Sequence, residues 1–170
     1  MGLFLGGGEK WSSPGGQKTV HDGLIQNVPF SPNRSVIDVG CGRGKLFPEV
    51  PFGTYVGVDS SEQMIKVAQN EYPLGHFFVQ DVMEIQDSYD IVLASSLFSQ
   101  TWIRHDSLID HLWNICNVFL SFSYSLIASP DIEETHVLRE YCLAKTEKVG
   151  IFAPGGSREW IVQMEKSAPQ

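Results

Sequence analysis

Val36-Ile37-Asp38-Val39-Gly40-Cys41-Gly42-Arg43-Gly44 is the stretch on which the reading of this chain turns. Val36, Ile37 and Val39 form the β-branched run expected of a strand covered on both faces. Gly40, Gly42 and Gly44 follow at alternate positions. Glycine tolerates positive φ and lets a ligand approach the backbone. A strand ending in such a turn lies where open α/β sheets bind ligands, beyond the carboxyl ends of their strands. A following helix adds free N–H groups and the positive end of its dipole. A dinucleotide site uses G-x-G-x-x-G, whose third glycine lets helix and strand pack closely. Lys45 holds that position here, so the pattern is G-x-G-x-G led by Asp38.

Working outward, Tyr55-Val56-Gly57-Val58-Asp59 reads as a second strand. It ends in an acid about 20 positions after the first glycine, where a carboxylate accepts hydrogen bonds from ribose hydroxyls. The bland alternative for Asp59 is a helix cap, but Ser60 and Gln63 already have capping-box spacing. Met64, Val67 and Ala68 then recur at helical spacing and define a core face. Phe77 to Val82 reads as a third strand with Asp81 near its end, a position that also suits an exposed turn. Tyr89 to Ser95 reads as a fourth strand, buried in the sheet.

These landmarks, in this order, resemble the class I methyltransferases that use S-adenosylmethionine (SAM). The resemblance covers about Val36 to Glu165 and includes a closing hairpin. It implies an α/β fold: a doubly wound seven-stranded sheet of order 3-2-1-4-5-7-6, with strand 7 antiparallel and helices on both faces. It implies SAM as cofactor and S-adenosylhomocysteine as product. The cofactor contacts it implies are Asp38, Gly40, Cys41, Gly42, Gly44, Asp59, Ser60, Met64, Asp81, Val82 and Ser95. Asp81 would bond the adenine amino group and the Val82 N–H a ring nitrogen, with Met64 against the adenine or in the core. Ser96 to His105 holds no Asn/Asp-Pro-Pro-Tyr tetrapeptide, which argues against DNA bases and glutamine side chains as acceptors. The stretch Lys45 to Val50 allows only a brief helix, limited by Pro48, a departure from the family.

The remaining segments fit around this frame. Residues 1 to about 16 are rich in Gly and Ser and read as an arm, with Lys10 and Trp11 standing out. A short helix is expected from about Gln17 to Asn27, turning Val20, Leu24 and Ile25 inward and ended by Pro29 and Pro32. Asp106 caps a later helix whose stripe is Leu108, Leu112, Ile115 and Phe119. Phe122 to Ala128 is the expected fifth strand. Ser129-Pro130-Asp131 starts a helix that runs to about Thr146 with Leu138, Tyr141 and Cys142 inward. Lys148–Ala153 and Arg158–Glu165 form an antiparallel hairpin around Pro154-Gly155-Gly156, with Trp160, Val162 and Met164 on one packed face. The chain is thus divided into an arm and short helix over 1–30, able to act as a lid, and a SAM-binding domain over 31–166.

Composition narrows the partners. A length of 170 residues suits one domain, and 42% hydrophobic against 19% charged residues argues against wholesale disorder. The net charge of −8, with no basic block, disfavours broad binding to phosphate backbones, so no DNA partner is expected. Cys41, Cys116 and Cys142 are scattered and odd in number, which fits a reduced, cytoplasmic setting. The N-terminus lacks a basic n-region, and Gly6 stands where a myristoylation signal needs Ser or Thr. Ile115 to Ala128 is too short and too serine-rich to span a bilayer, so no membrane is expected. No residues have metal-ligand spacing. The expected reaction is transfer of the sulfonium methyl to an O or N nucleophile of a small molecule. A protein or RNA acceptor and a non-catalytic interaction module are the alternatives, and an oligomer is left open. His105 is the candidate general base, ahead of His111, His21 and Tyr124, whereas His76 and His136 read as structural.

Overall fold

The computed structural model of the chain describes residues 14–51, 53–99, 105–125, 132–154 and 159–167. The strands are β1 (Ser35–Val39), β2 (Thr54–Asp59), β3 (His76–Val79), β4 (Tyr89–Ala94), β5 (Cys116–Ser125), β6 (Val149–Phe152) and β7 (Glu159–Glu165). The helices are α1 (Pro14–Ile25), α2 (Glu62–Glu71), α3 (His105–Ile115) and α4 (Ile132–Leu143). The strands form one seven-stranded sheet of order β3-β2-β1-β4-β5-β7-β6. Strands β1 to β5 run parallel, and β7 is antiparallel to both β5 and β6. The strand order reverses between β1 and β4, so the carboxyl ends of β1, β2 and β4 meet at a topological switch point. Because β7 is antiparallel, its first residue Glu159 lies beside Ser125, at that same edge.

Alternation along the strands sorts the core onto two faces. Ile37, Val39, Val92, Leu120 and Phe122 face α3 and α4, meeting Leu108, Leu112, Ile115, Leu138 and Cys142. Val36, Tyr55, Ile91, Leu93 and Phe119 face the other way, against Ile65 and Ala68 of α2 and Leu46. On that side α1 places Val20 and Leu24 against Ile161. Gln163 Nε2 fastens this helix by donating to Gln26 O at 2.6 Å, and the Ser121 hydroxyl donates to Leu24 O at 2.8 Å.

Several boundaries differ from the sequence reading. α1 starts at Pro14, earlier than expected, because proline suits a first helical turn whose N–H groups lack intrahelical partners. It stops before Asn27, whose φ of 62° is left-handed, a conformation asparagine tolerates. The cap of α2 is Ser61, not Ser60: the Ser61 hydroxyl accepts from the Met64 N–H at 3.4 Å. That register buries Ile65 and Ala68, leaves Val67 half-buried, and turns Met64 outward at 40% exposure. Asp106 lies inside the first turn of α3 rather than before it. Phe119 belongs to β5, which begins at Cys116 instead of Phe122. The spacing of Leu112, Ile115 and Phe119 fits a helix as well as it fits the actual break, and only pairing with β4 and β7 decides between them. β7 is buried on both faces, with Ile161 and Gln163 as well as Val162 and Met164 inside, because it lies between β5 and β6. The expected arm with Lys10 and Trp11, the start of α4 at Ser129-Pro130-Asp131 and the tip of the last hairpin lie outside the described residues.

Candidate active site

β1 runs into the glycine turn, and the turn is tied to the end of β2. The N–H groups of Gly40 and Cys41 donate to Val58 O at 2.8 and 2.9 Å. The Gly42 N–H donates to Asp59 Oδ2 at 2.9 Å, and the Ser61 N–H to Asp59 Oδ1 at 2.8 Å. Two backbone donors thus fix the carboxylate at the mouth of the turn, and each oxygen keeps a lone pair for a further donor. Gly42 has φ +53°, and a Cβ there would meet nothing within 4 Å, so this side of the turn is open. Gly44, at φ +72°, is closed instead: a Cβ would lie 2.8 Å from the Phe77 ring. The glycines therefore differ: Gly42 leaves its side of the turn open, and Gly44 lets Phe77 of β3 pack.

Asp38 lies beneath the turn, 1% exposed. Its Oδ2 accepts from the Tyr55 hydroxyl at 2.7 Å, and its Oδ1 has no hydrogen-bond partner. Burial pushes its carboxyl up to about 7, opposed by the Tyr55 bond and reinforced by the charge of Asp59. Burial and the same two carboxylates also raise the Cys41 thiol, so Cys41 is held as an inert packing group rather than a nucleophile. A buried carboxyl with one empty acceptor, beside a second carboxylate, suits a cationic ligand that also offers hydroxyls.

The next landmark lies alongside. The Gln80 N–H donates to Asp59 O at 3.0 Å, which sets the chain after β3 against the end of β2. Asp81 is exposed and its Oδ1 accepts from the Met83 N–H at 2.8 Å, capping a short 3-10 turn over Val82–Glu84. Val82 is half-buried, and Met64 and Met83 are exposed apolar side chains. Ser60 is exposed beside Asp59, and Ser95 is half-buried just past β4. The carboxyl ends of β1, β2, β3 and β4 and the turns after them therefore carry the sequence-predicted binding positions on one edge, except Met64, which lies in the first turn of α2. His105 is the first residue of α3, and its side chain lies outside the described residues. His111 lies half-buried further along α3, and His76 is exposed at the start of β3.

Sequence reasoning missed the partners that hold these groups. Tyr55, Gly57 and Asp59 share one face of β2, and Gly57 pairs with Asp38, where the Phe77 ring and the Cys41 sulfur fill the space that a Cβ would take. That alternation was a usable signal. Ser61, Ser96, Ser123 and Glu159 gave none.

Comparison with known proteins agrees with this geometry. Residues 36–118, which span the glycine turn through the start of β5, match the model of a methyltransferase domain family. Residues 36–118 belong to this methyltransferase domain family, and the sheet order is that of the class I fold. The 235L protein of Invertebrate iridescent virus 6, named as a methyltransferase, is 33% identical over 135 residues, 76% of this chain and 49% of its own length. Trans-aconitate 2-methyltransferase of Deinococcus radiodurans is 30% identical over 92 residues, 51% of this chain and 35% of its own. The chain thus spans half or less of the length of these curated relatives. Among solved structures, magnesium protoporphyrin IX methyltransferase from Synechocystis PCC 6803 with bound SAM superposes with a TM-score of 0.72. It covers 98% of this chain and 87% of its own at 21% identity, a likeness in fold.

Proposed function

We propose that this class I methyltransferase domain binds SAM at the carboxyl edge of β1, β2 and β4 and moves its methyl group to an O or N nucleophile of a small molecule. The observation that carries the reading is the open Gly42 beside Asp59, with the unpartnered Asp38 Oδ1 beneath it. In this reading Asp59 takes the ribose hydroxyls, Asp38 Oδ1 takes the cationic amino-acid end, and Asp81 and Val82 take the adenine edge beside Met64. Ser60, Cys41 and Ser95 line the path between them, with Gly40 and Gly44 shaping the turn. When bound, SAM supplies a methyl group activated by a sulfonium charge. The chain contributes positioning: holding donor and acceptor in attack geometry removes several kcal/mol of barrier without a protein group entering the bond changes. His105 is the proposed base for an acceptor whose proton must leave, and an ionised carboxylate acceptor would need none.

The small-molecule acceptor is supported by the trans-aconitate and magnesium protoporphyrin IX named for relatives of this chain. No helix among the described residues is long and apolar enough to cross a membrane, and Cys41, Cys116 and Cys142 are free and buried. Both features support the cytoplasmic setting. The domain proposed is 31–166, with the segment over 1–30 as a candidate lid. Calorimetric titration with SAM and with S-adenosylhomocysteine tests the reading. Micromolar binding of both is expected, followed by a screen of acceptors for methylated product. Binding without turnover on any acceptor would favour a non-catalytic module, and absence of binding would refute the cofactor assignment.

A further inference from the structure

Across from the glycine turn, the end of β4 is held by residues that the cofactor reading does not use. Ser96 follows β4 with φ +56°, a left-handed conformation that an L side chain rarely adopts and that local bonds must hold. Its N–H donates to Ser123 Oγ at 2.7 Å, and its hydroxyl donates to Glu159 Oε1 at 3.1 Å. Ser123 also hydrogen-bonds Glu159. The three residues come from the turn after β4, from β5 and from the first position of β7. Ser123 and Glu159 are 0% and 1% exposed, so these bonds are shielded from water. The next residue, Leu97, stands against the glycine turn: a Cβ on Gly40 would meet its Cδ1 at 3.2 Å. Phe98 then packs on Phe122 and Tyr124, with ring centroids 4.8 and 5.8 Å apart, which anchors the far side of the same turn. The backbone at Ser96 therefore decides whether Leu97 reaches Gly40.

We propose that Glu159, together with Ser123, is a positioning residue of the cofactor site: it holds Ser96 left-handed so that Leu97 closes one wall of the glycine turn. The inference rests on the SAM reading above. Its chemistry needs a buried hydrogen-bond acceptor at residue 159 rather than a charge. Burial accordingly raises the Glu159 carboxyl, while the bonds from Ser123 and Ser96 oppose that rise.

The test uses glycine, which adopts positive φ without help. SAM is titrated calorimetrically into the full chain and its variants. Ser96→Ala keeps the Cβ and loses the hydroxyl, and its affinity is expected to fall about tenfold as the left-handed turn loses its hold. Ser96→Gly loses the same hydroxyl but fits the turn unaided, and should stay within about twofold of wild type. Glu159→Met, nearly isosteric and without an acceptor, should behave like Ser96→Ala, and adding Ser96→Gly to it should restore binding. Glu159→Gln, which keeps an oxygen acceptor, should also retain it. Equal affinities for Ser96→Ala and wild type would overturn the proposal. So would a Ser96→Gly protein as weak as Ser96→Ala, since that would place the hydroxyl itself on the ligand. If Glu159→Met does not fold, the Ser96→Ala and Ser96→Gly pair decides alone. A wild-type protein that binds no SAM would overturn the cofactor reading and this proposal together.

Discussion

Asp38→Asn separates what the fold wants from what the ligand wants. In the free protein the buried Asp38 carboxyl sits at about 7, against an ordinary value of 3.8. The folded state therefore holds a proton between these values that the unfolded chain has released. Stability from this group is present at low pH and declines as pH rises from about 4 to about 7. At about 1.4 kcal/mol per pH unit, the charged form costs the free protein about 4 kcal/mol at pH 8. Asparagine cannot ionise, keeps an oxygen for the Tyr55 hydroxyl, and removes that cost. Its NH2 group takes the place of the unpartnered Oδ1, and a buried unsatisfied donor costs about 1–3 kcal/mol. The net expectation is a free protein about 2 kcal/mol more stable than wild type at pH 8 and less stable at pH 4. The difference between the two proteins should swing by about 4 kcal/mol across that range. Urea unfolding of both proteins at pH 4, 6 and 8, without SAM, measures the swing, since titrating groups not coupled to Asp38 cancel in the difference. The same substitution should weaken SAM at pH 8 at least tenfold, because a neutral amide cannot pair with an ammonium. A wild-type-to-variant difference that is flat with pH, or a variant less stable at pH 8, would falsify the placement of Asp38 as a buried, proton-holding carboxyl.

Three further outcomes are expected. Gly42→Val puts a β-branched side chain at φ +53° on the open side of the turn, and SAM binding should fall roughly 100-fold or more while the circular dichroism spectrum stays native. Gln163→Leu removes the donor that reaches Gln26 O at 2.6 Å and should cost about 1–3 kcal/mol in urea unfolding, with loss of protection of α1 in hydrogen exchange. Once an acceptor bearing a transferable proton is in hand, His105→Ala should lower turnover about 10²- to 10⁴-fold with SAM affinity unchanged. Turnover that does not change would remove His105 as the base.

The amino-acid sequence alone determined the parts of this protein whose physics is local. The β-branched runs before Gly40 and before Asp59 specify buried strands, and a strand broken by alternate glycines specifies a turn that a ligand can approach. Asp59 and Asp81 follow at strand ends, where carboxylates have room to accept hydrogen bonds. The hairpin of β6 and β7 was legible from its turn residues. Tertiary structure decided what depends on contact across the sheet. Leu112, Ile115 and Phe119 obey helical spacing, yet the helix ends at Ile115 because Cys116 onward pairs with β4 and β7. Asp38 was expected only as the residue leading the glycine motif and as a cofactor contact; its burial and its bond from Tyr55 exist only when β1 and β2 lie side by side. Ser96, Ser123 and Glu159 lie 27 and 63 residues apart and meet only because β7 reverses direction, bringing its first residue to the edge where the parallel strands end. No local pattern encodes such a meeting, since periodicity reports which face a residue takes and not which distant residue it will find there.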